Sequence, residues 1–249
     1  MKSFPAKLFF CVLLAAVGRN GIAADTTNVA PPVTAREFFN AGTKLLAGTN
    51  FSQAEKMFQQ ALALQDERVQ PLAEFNLGHA RFADGAATLK QGPDAQKVSE
   101  RSQAALAAGD SVLRSGESSL AEAVVEKMVA AYLDGRGAQR ELRAAEKVVK
   151  SALQRYGKTL ARWQRALDDF KGAAELNPAD TNAVRNVAVV EKQIVKLVDE
   201  IQQMQQMAGQ MAGQKNQLGK MLSKLKGQIP APDAPPGGKG EGDEDEEGS

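Results

Sequence analysis

The chain has 249 residues, 43% hydrophobic and 24% charged, which is enough apolar material for a packed core and excludes disorder throughout. Only 5% are aromatic, and Ala and Gln are plentiful, so composition favours helices over a β-sandwich. One His and one Cys exclude most nucleophile, redox and transition-metal chemistry, and a formal net charge of +1 makes no demand for nucleic acid.

Residues 1–24 read as a secretory signal peptide: Lys2 and Lys7, the apolar run Leu8–Val17, then Gly21-Ile22-Ala23-Ala24 with small residues at the cleavage position. The apolar run is about half of the roughly twenty residues a membrane span needs. Cys11 follows Phe9-Phe10 rather than the small residues of a lipoprotein signal. Cleavage after Ala23 or Ala24 predicts an exported chain, periplasmic or secreted, with no transmembrane span, cysteine or disulfide. It also removes three cations and turns the net charge to −2. Six acids between Glu241 and Glu247 account for that sign, leaving a mildly basic body.

A Pro-containing linker, 25–33, leads into a region with helical periodicity and no strand alternation. Phe39-Asn40-Ala41-Gly42 returns 36 residues later as Phe75-Asn76-Leu77-Gly78, and weakly as Arg185-Asn186-Val187-Ala188. A small residue closing such a block lets two helix axes approach. Phe51, Ala54, Phe58 and Ala61 make an apolar stripe on one helix face, repeated as Trp163, Ala166, Phe170 and Ala173. Asn177-Pro178 stops the latter helix.

These blocks resemble the tetratricopeptide repeat (TPR), a pair of antiparallel helices with an aromatic near its start, Asn-Leu-Gly in the first helix and an aromatic-Ala stripe in the second. Residues 35–68 match the unit except its final proline, 71–85 its first helix with a turn at Gly85, 160–178 its second helix and the proline, and 181–193 a last first helix. The resemblance implies an all-α fold of TPR-like antiparallel hairpins, a short α-solenoid, with a long C-terminal helix and a disordered tail. Two repeats fill 34–92, a divergent helical insertion 93–137, and TPR-like helices with a capping helix 138–207.

Within the insertion, Gly109, Ser115-Gly116 and Asp134-Gly135-Arg136-Gly137 read as breakers, giving helices near Ala95–Ala108 and Glu117–Asp134. Two readings stand for 138–176: a hairpin turning near Leu160 with help from Gly157, or one long helix. From Val187 the apolar positions step by three and four through Leu225, with only Lys215 out of pattern, a heptad signature. It reads as a cap over the solenoid end with a Gln/Met-rich extension at 208–229, or as a homo-oligomer helix through 187–225. The Pro/Gly/acidic stretch 230–249 should be disordered.

No motif predicts a catalytic residue, a cofactor or a metal site. His79 alone cannot build a zinc site, and no Gly-Lys-Ser/Thr follows the glycines at 85, 135 or 137. The TPR resemblance places Arg36, Phe39, Thr43, Leu46, Leu72, Phe75, His79 and Phe82 on or near a concave, partner-binding groove. Arg136, Arg140, Arg143, Lys147 and Lys150, spaced four, three, four, three, form a basic stripe: the wet face of a helix, or a site for an acidic partner, an anionic lipid head group or the chain's own acidic tail. The expectation is a non-enzymatic protein–protein interaction scaffold of the cell envelope. The architecture is similar to TPR proteins of aerotolerance-type (Bat) operons, which implies a partner such as a von Willebrand A-domain membrane protein. The alternative is a structural protein self-associating through its C-terminal heptad helix.

Overall fold

The structure, a computed structural model, describes residues 31–230, and the helical body begins at Val33. The expected signal peptide, most of the linker and the acidic tail lie outside the described residues. The described chain is all-α, with no strand among the described residues.

Thr34 opens α1 (Ala35–Ala47) with a capping box: its hydroxyl accepts from the Glu37 amide, and the Glu37 carboxylate accepts from the Thr34 amide at 3.0 Å. After Gly48, Thr49 takes φ 60° and the chain reverses into α2 (Phe51–Ala63). Helix α3 (Gln70–Leu89) starts with Pro71 in its first turn, where no amide hydrogen is needed. Gly92-Pro93 separates it from α4 (Ala95–Glu122), whose N-cap Asp94 accepts from the Lys97 amide at 2.9 Å. Ala123 at φ 54° turns the chain into α5 (Val125–Leu176), which ends before Asn177-Pro178. Asp180 then caps α6 (Thr181–Gln228).

Several expected boundaries do not exist. Helix α3 runs through Gly85, and α4 through Gly109 and Gly116. Helix α5 crosses Gly135, Gly137, the 137/138 boundary and Gly157 as one rod of 52 residues, about 78 Å long. The hairpin reading of 138–176 is therefore replaced by the single helix, and the two short helices expected between 95 and 134 by α4 and the start of α5. Likewise α6 passes 207/208 unbroken.

The physical reason lies in what the glycines touch. A Cβ on Gly42 would sit 2.7 Å from the Phe58 ring, and on Gly78 3.0 Å from the Phe170 ring. On Gly85 it would be 2.5 Å from the Trp163 indole nitrogen. Gly109 faces the Gln214 amide, Gly116 the Met221 thioether and Gly135 Leu222. These glycines receive a neighbour's bulk inside a helix. Breaking by Gly costs only about 1 kcal/mol relative to Ala, which burial of the incoming side chain offsets.

The same contacts fix direction. Gly78 meets Phe170 and Gly85 meets Trp163, so α3 runs antiparallel to the second half of α5. Gly135 meets Leu222 and Lys171 meets Glu191, so α6 runs antiparallel to α5 along its length. Gly109 meets Gln214 and Gly116 meets Met221, so α4 is parallel to the second half of α6. The first half of α5, α4 and that part of α6 thus form a three-helix bundle, while α1, α2, α3 and the remaining halves form a stack of hairpins.

The bundle obeys a seven-residue repeat. Buried positions on α5 step by three and four from Met128 through Ala131, Gly135, Ala138, Leu142, Ala145, Val149, Ala152, Tyr156, Thr159, Trp163, Ala166 and Phe170 to Ala173. On α4 the buried row is Val98, Ser102, Ala105, Gly109, Gly116 and Ser119, mostly small; α6 buries Met204, Met211, Gln214, Leu218 and Met221, with Gln214 against Gly109 and Met221 against Gly116. Gln214 is the polar residue that α6 contributes to this seam; its amide donates to the Leu106 carbonyl at 2.9 Å and to Asp110. A buried amide with a fixed partner penalises any slip of α6 past α4.

Candidate functional site

The eight expected groove residues are equivalent pairs at an interval of 36, and the structure divides them by exposure. Arg36 and Thr43 on α1 and Leu72 on α3 are exposed, Leu72 at 52%. Phe39 and Leu46 are half-buried against the cluster of Ala54, Phe58, Leu77 and Ala80, with the Phe39 and Phe58 ring centroids 6.0 Å apart. Phe75 meets Phe170 edge-on at 5.7 Å, and Phe82 stacks on Trp163 at 5.1 Å. Most of the aromatics thus join helices to one another.

His79 belongs with them. Its ring lies edge-on to Phe75 and Phe170, and Nε2 is 3.1 Å from the Asn186 side-chain amide on α6. Burial lowers its pKa below the ordinary histidine value, so the ring is held neutral at physiological pH. Asn186 was legible only as part of the weak third block; its pairing with His79 spans 107 residues and left no local signal.

A polar network that the sequence did not announce ties α2, α3 and α5. Arg81 donates from Nε to Glu55 at 2.9 Å and from Nη1 to Asp169 at 2.7 Å. Arg162 pairs with Asp84 and lies 3.9 Å from Glu55. Thr159 donates to the Gly85 carbonyl at 3.2 Å and the Trp163 indole N–H to the Phe82 carbonyl at 3.1 Å. Burial, with the Glu74 and Glu55 carboxylates nearby, pushes Asp169 up to about 7 against the opposing pull of Arg81. Burial also raises Glu74.

The Asp169 shift carries a pH signature. Its folded pKa exceeds the unfolded value of 3.8, so the stability it contributes is full below that value and is lost as pH rises through about 7. His79 acts in the opposite sense, losing stability as pH falls below its unfolded value of 6.5. We expect D169N, which keeps an acceptor for Arg81, to gain stability relative to wild type as pH rises from 5 to 8. Urea midpoints of both proteins across that range measure it, and parallel curves would contradict the shift.

All five stripe residues, Arg136, Arg140, Arg143, Lys147 and Lys150, are exposed along the first half of α5. Arg136 is engaged with the Tyr132 hydroxyl at 3.4 Å. Two open clefts flank the row. One, about 610 Å³ between α5 and α6, includes Gln139, Arg143, Lys215 and Lys220; the other, about 660 Å³, lies between α4 and α5 and includes Lys147. Among the described residues no group of three His, Cys, Asp or Glu side chains is placed to hold a metal ion, and no helix is long and apolar enough to cross a membrane. In comparisons with protein-family models, curated proteins and solved structures, none matches the chain.

Proposed function

We propose that the chain is a non-enzymatic scaffold of the cell envelope that holds a protein partner along one exposed face shared by α1, α3 and the first half of α6. The observation that carries this reading is what equivalent positions expose. The interval that relates Phe39 to Phe75 also relates Arg36 to Leu72, and the weak third block carries that row on to the exposed Asn182 of α6; Val189 shares a row with the exposed Thr43 and the packed His79, and Arg185 stands in the row of Phe39 and Phe75. Arg36, Thr43, Leu72, Arg185 and Val189 all face solvent, with Leu72 and Val189 about half exposed. Meanwhile the half-buried and buried polar groups, Arg81, Asp169, Glu55 and His79 with Asn186, are paired between helices, where they hold a surface in shape.

The resemblance to Bat-type proteins names a von Willebrand A-domain membrane protein as the partner to test first. Self-association through 187–225 draws less support, because Leu197, Met204, Met211, Leu218 and Leu225 are buried within one chain. Since Phe39 and His79 are packing residues, the informative positions are the exposed ones. A photo-crosslinking side chain at Leu72 and at Val189 should capture the same envelope protein, and one at the exposed Lys158 should not. Equal capture from Lys158, or none from the first two, overturns the reading.

A further inference from the structure

The cleft between α4 and α5 has an unusual balance of charge. Lys97 and Arg101 stand on the α4 wall, Lys147 and Arg155 on the α5 wall, Ser151 between the latter two, and Pro93, Ala144 and Val148 supply apolar surface. No carboxylate lines it. None of the four cations makes an ion pair among the described residues, although each faces like charge across the cleft. The acids nearest in sequence are engaged elsewhere: Asp94 caps α4 through the Lys97 amide, Glu100 accepts from Gln96, and Glu146 pairs with Lys215 on α6. Arg155 is fixed in place because its Nη2 donates to the Pro93 carbonyl at 2.6 Å.

We propose that this cleft is a binding site for a phosphate-bearing ligand. Four cations on two facing walls match a group that carries more than one negative charge and offers oxygens in several directions. A planar guanidinium anchored through one nitrogen keeps other donors to offer, lysines supply mobile point charges, and Ser151 supplies a hydroxyl. The volume, about 660 Å³, exceeds what one inorganic phosphate needs and falls in the range of small-molecule clefts. The apolar surface suits a ligand with a carbon body beside its phosphates. A soluble phosphate ester and an anionic lipid headgroup share this chemistry. The site sits where α3 gives way to α4, so an occupant joins Pro93 and α4 to α5 at that break. It stands independently of the partner-binding reading.

The test uses the full chain with inorganic pyrophosphate, followed by calorimetry, and with vesicles of phosphatidylglycerol or phosphatidylcholine, followed by sedimentation. Pyrophosphate should bind, and raising salt should weaken it. The variant K97Q/R101Q should bind at least tenfold more weakly, while K158Q/R165Q, which removes as much charge from exposed positions elsewhere, should bind as wild type does. Circular dichroism of both variants checks that the helices persist. Sedimentation with phosphatidylglycerol alone, reversed by pyrophosphate, identifies the headgroup source; pyrophosphate binding without vesicle binding identifies a soluble ester. Equal weakening by both variants, or binding of neither probe, overturns the proposal. So does binding that emerges only when the six tail acids between Glu241 and Glu247 are changed to amides, because the occupant is then the chain's own tail.

Discussion

Phe170→Ala should lower the free energy of unfolding by about 3–5 kcal/mol, a loss large enough to threaten folding at all. Phe170 is 1% exposed, with its ring against Gly78 of α3 and edge-on to Phe75 and His79. Phe58 stands the same way against Gly42, and Phe58→Ala should cost a similar amount. Yet Gly42 and Phe58 are neighbours in one hairpin, whereas Gly78 and Phe170 are separated by α4 and the first half of α5. The second hairpin is thus interrupted, with α4 and the first half of α5, two of the bundle's three helices, inserted between its two helices. Guanidinium or urea midpoints measure both losses. A double-mutant cycle adds a sharper reading: G78A alone crowds the ring at 3.0 Å, but in an F170A background the methyl enters vacated space. The double variant should therefore exceed F170A in stability by about 1 kcal/mol, helped by the helix propensity of Ala. Additive effects would mean that the two residues do not touch.

How far the sequence could lead was decided by which residues announce themselves as apolar. Large side chains did so, and the helices they stripe lie where periodicity put them: α1, α2 and the end of α5 before Asn177-Pro178. The bundle was illegible because α4 presents Ser102, Ala105, Gly109, Gly116 and Ser119 as its buried row. Read locally, Gly109 and Gly116 are breakers. They make sense only beside Gln214 and Met221, about a hundred residues away, whose bulk they admit. Gly157 misled in the opposite way, since a Cβ there would meet no packing neighbour within 4 Å and the helix simply tolerates the glycine. The candidate surface shows the same division. The interval of 36 residues identified a row of equivalent positions, but not that Phe75, His79 and Phe82 would be covered by Trp163, Phe170 and Asn186. The Arg81–Asp169 pair, 88 residues apart, had no local pattern at all.

Leu218→Ala is the second change with a large expected effect, about 2–5 kcal/mol, and it decides what the heptad on α6 is for. Leu218 has no solvent exposure; it sits in the core cluster shared by α4, α5 and α6 between Gln214 and Leu222, which face Gly109 of α4 and Gly135 of α5. If that core lies within one chain, the truncated side chain leaves a cavity in a monomer, and its cost does not depend on protein concentration. If the same leucine faced a second copy, stability would follow mass action and a hundredfold dilution would remove about 2.7 kcal/mol. Thermal or urea unfolding of wild type and L218A at two concentrations a hundredfold apart separates the cases. Coincident midpoints for each protein, with L218A below wild type at both, place the seam inside the chain. Midpoints that fall with dilution would assign residues 187–225 to self-association and leave the row of α4 glycines without its occupant.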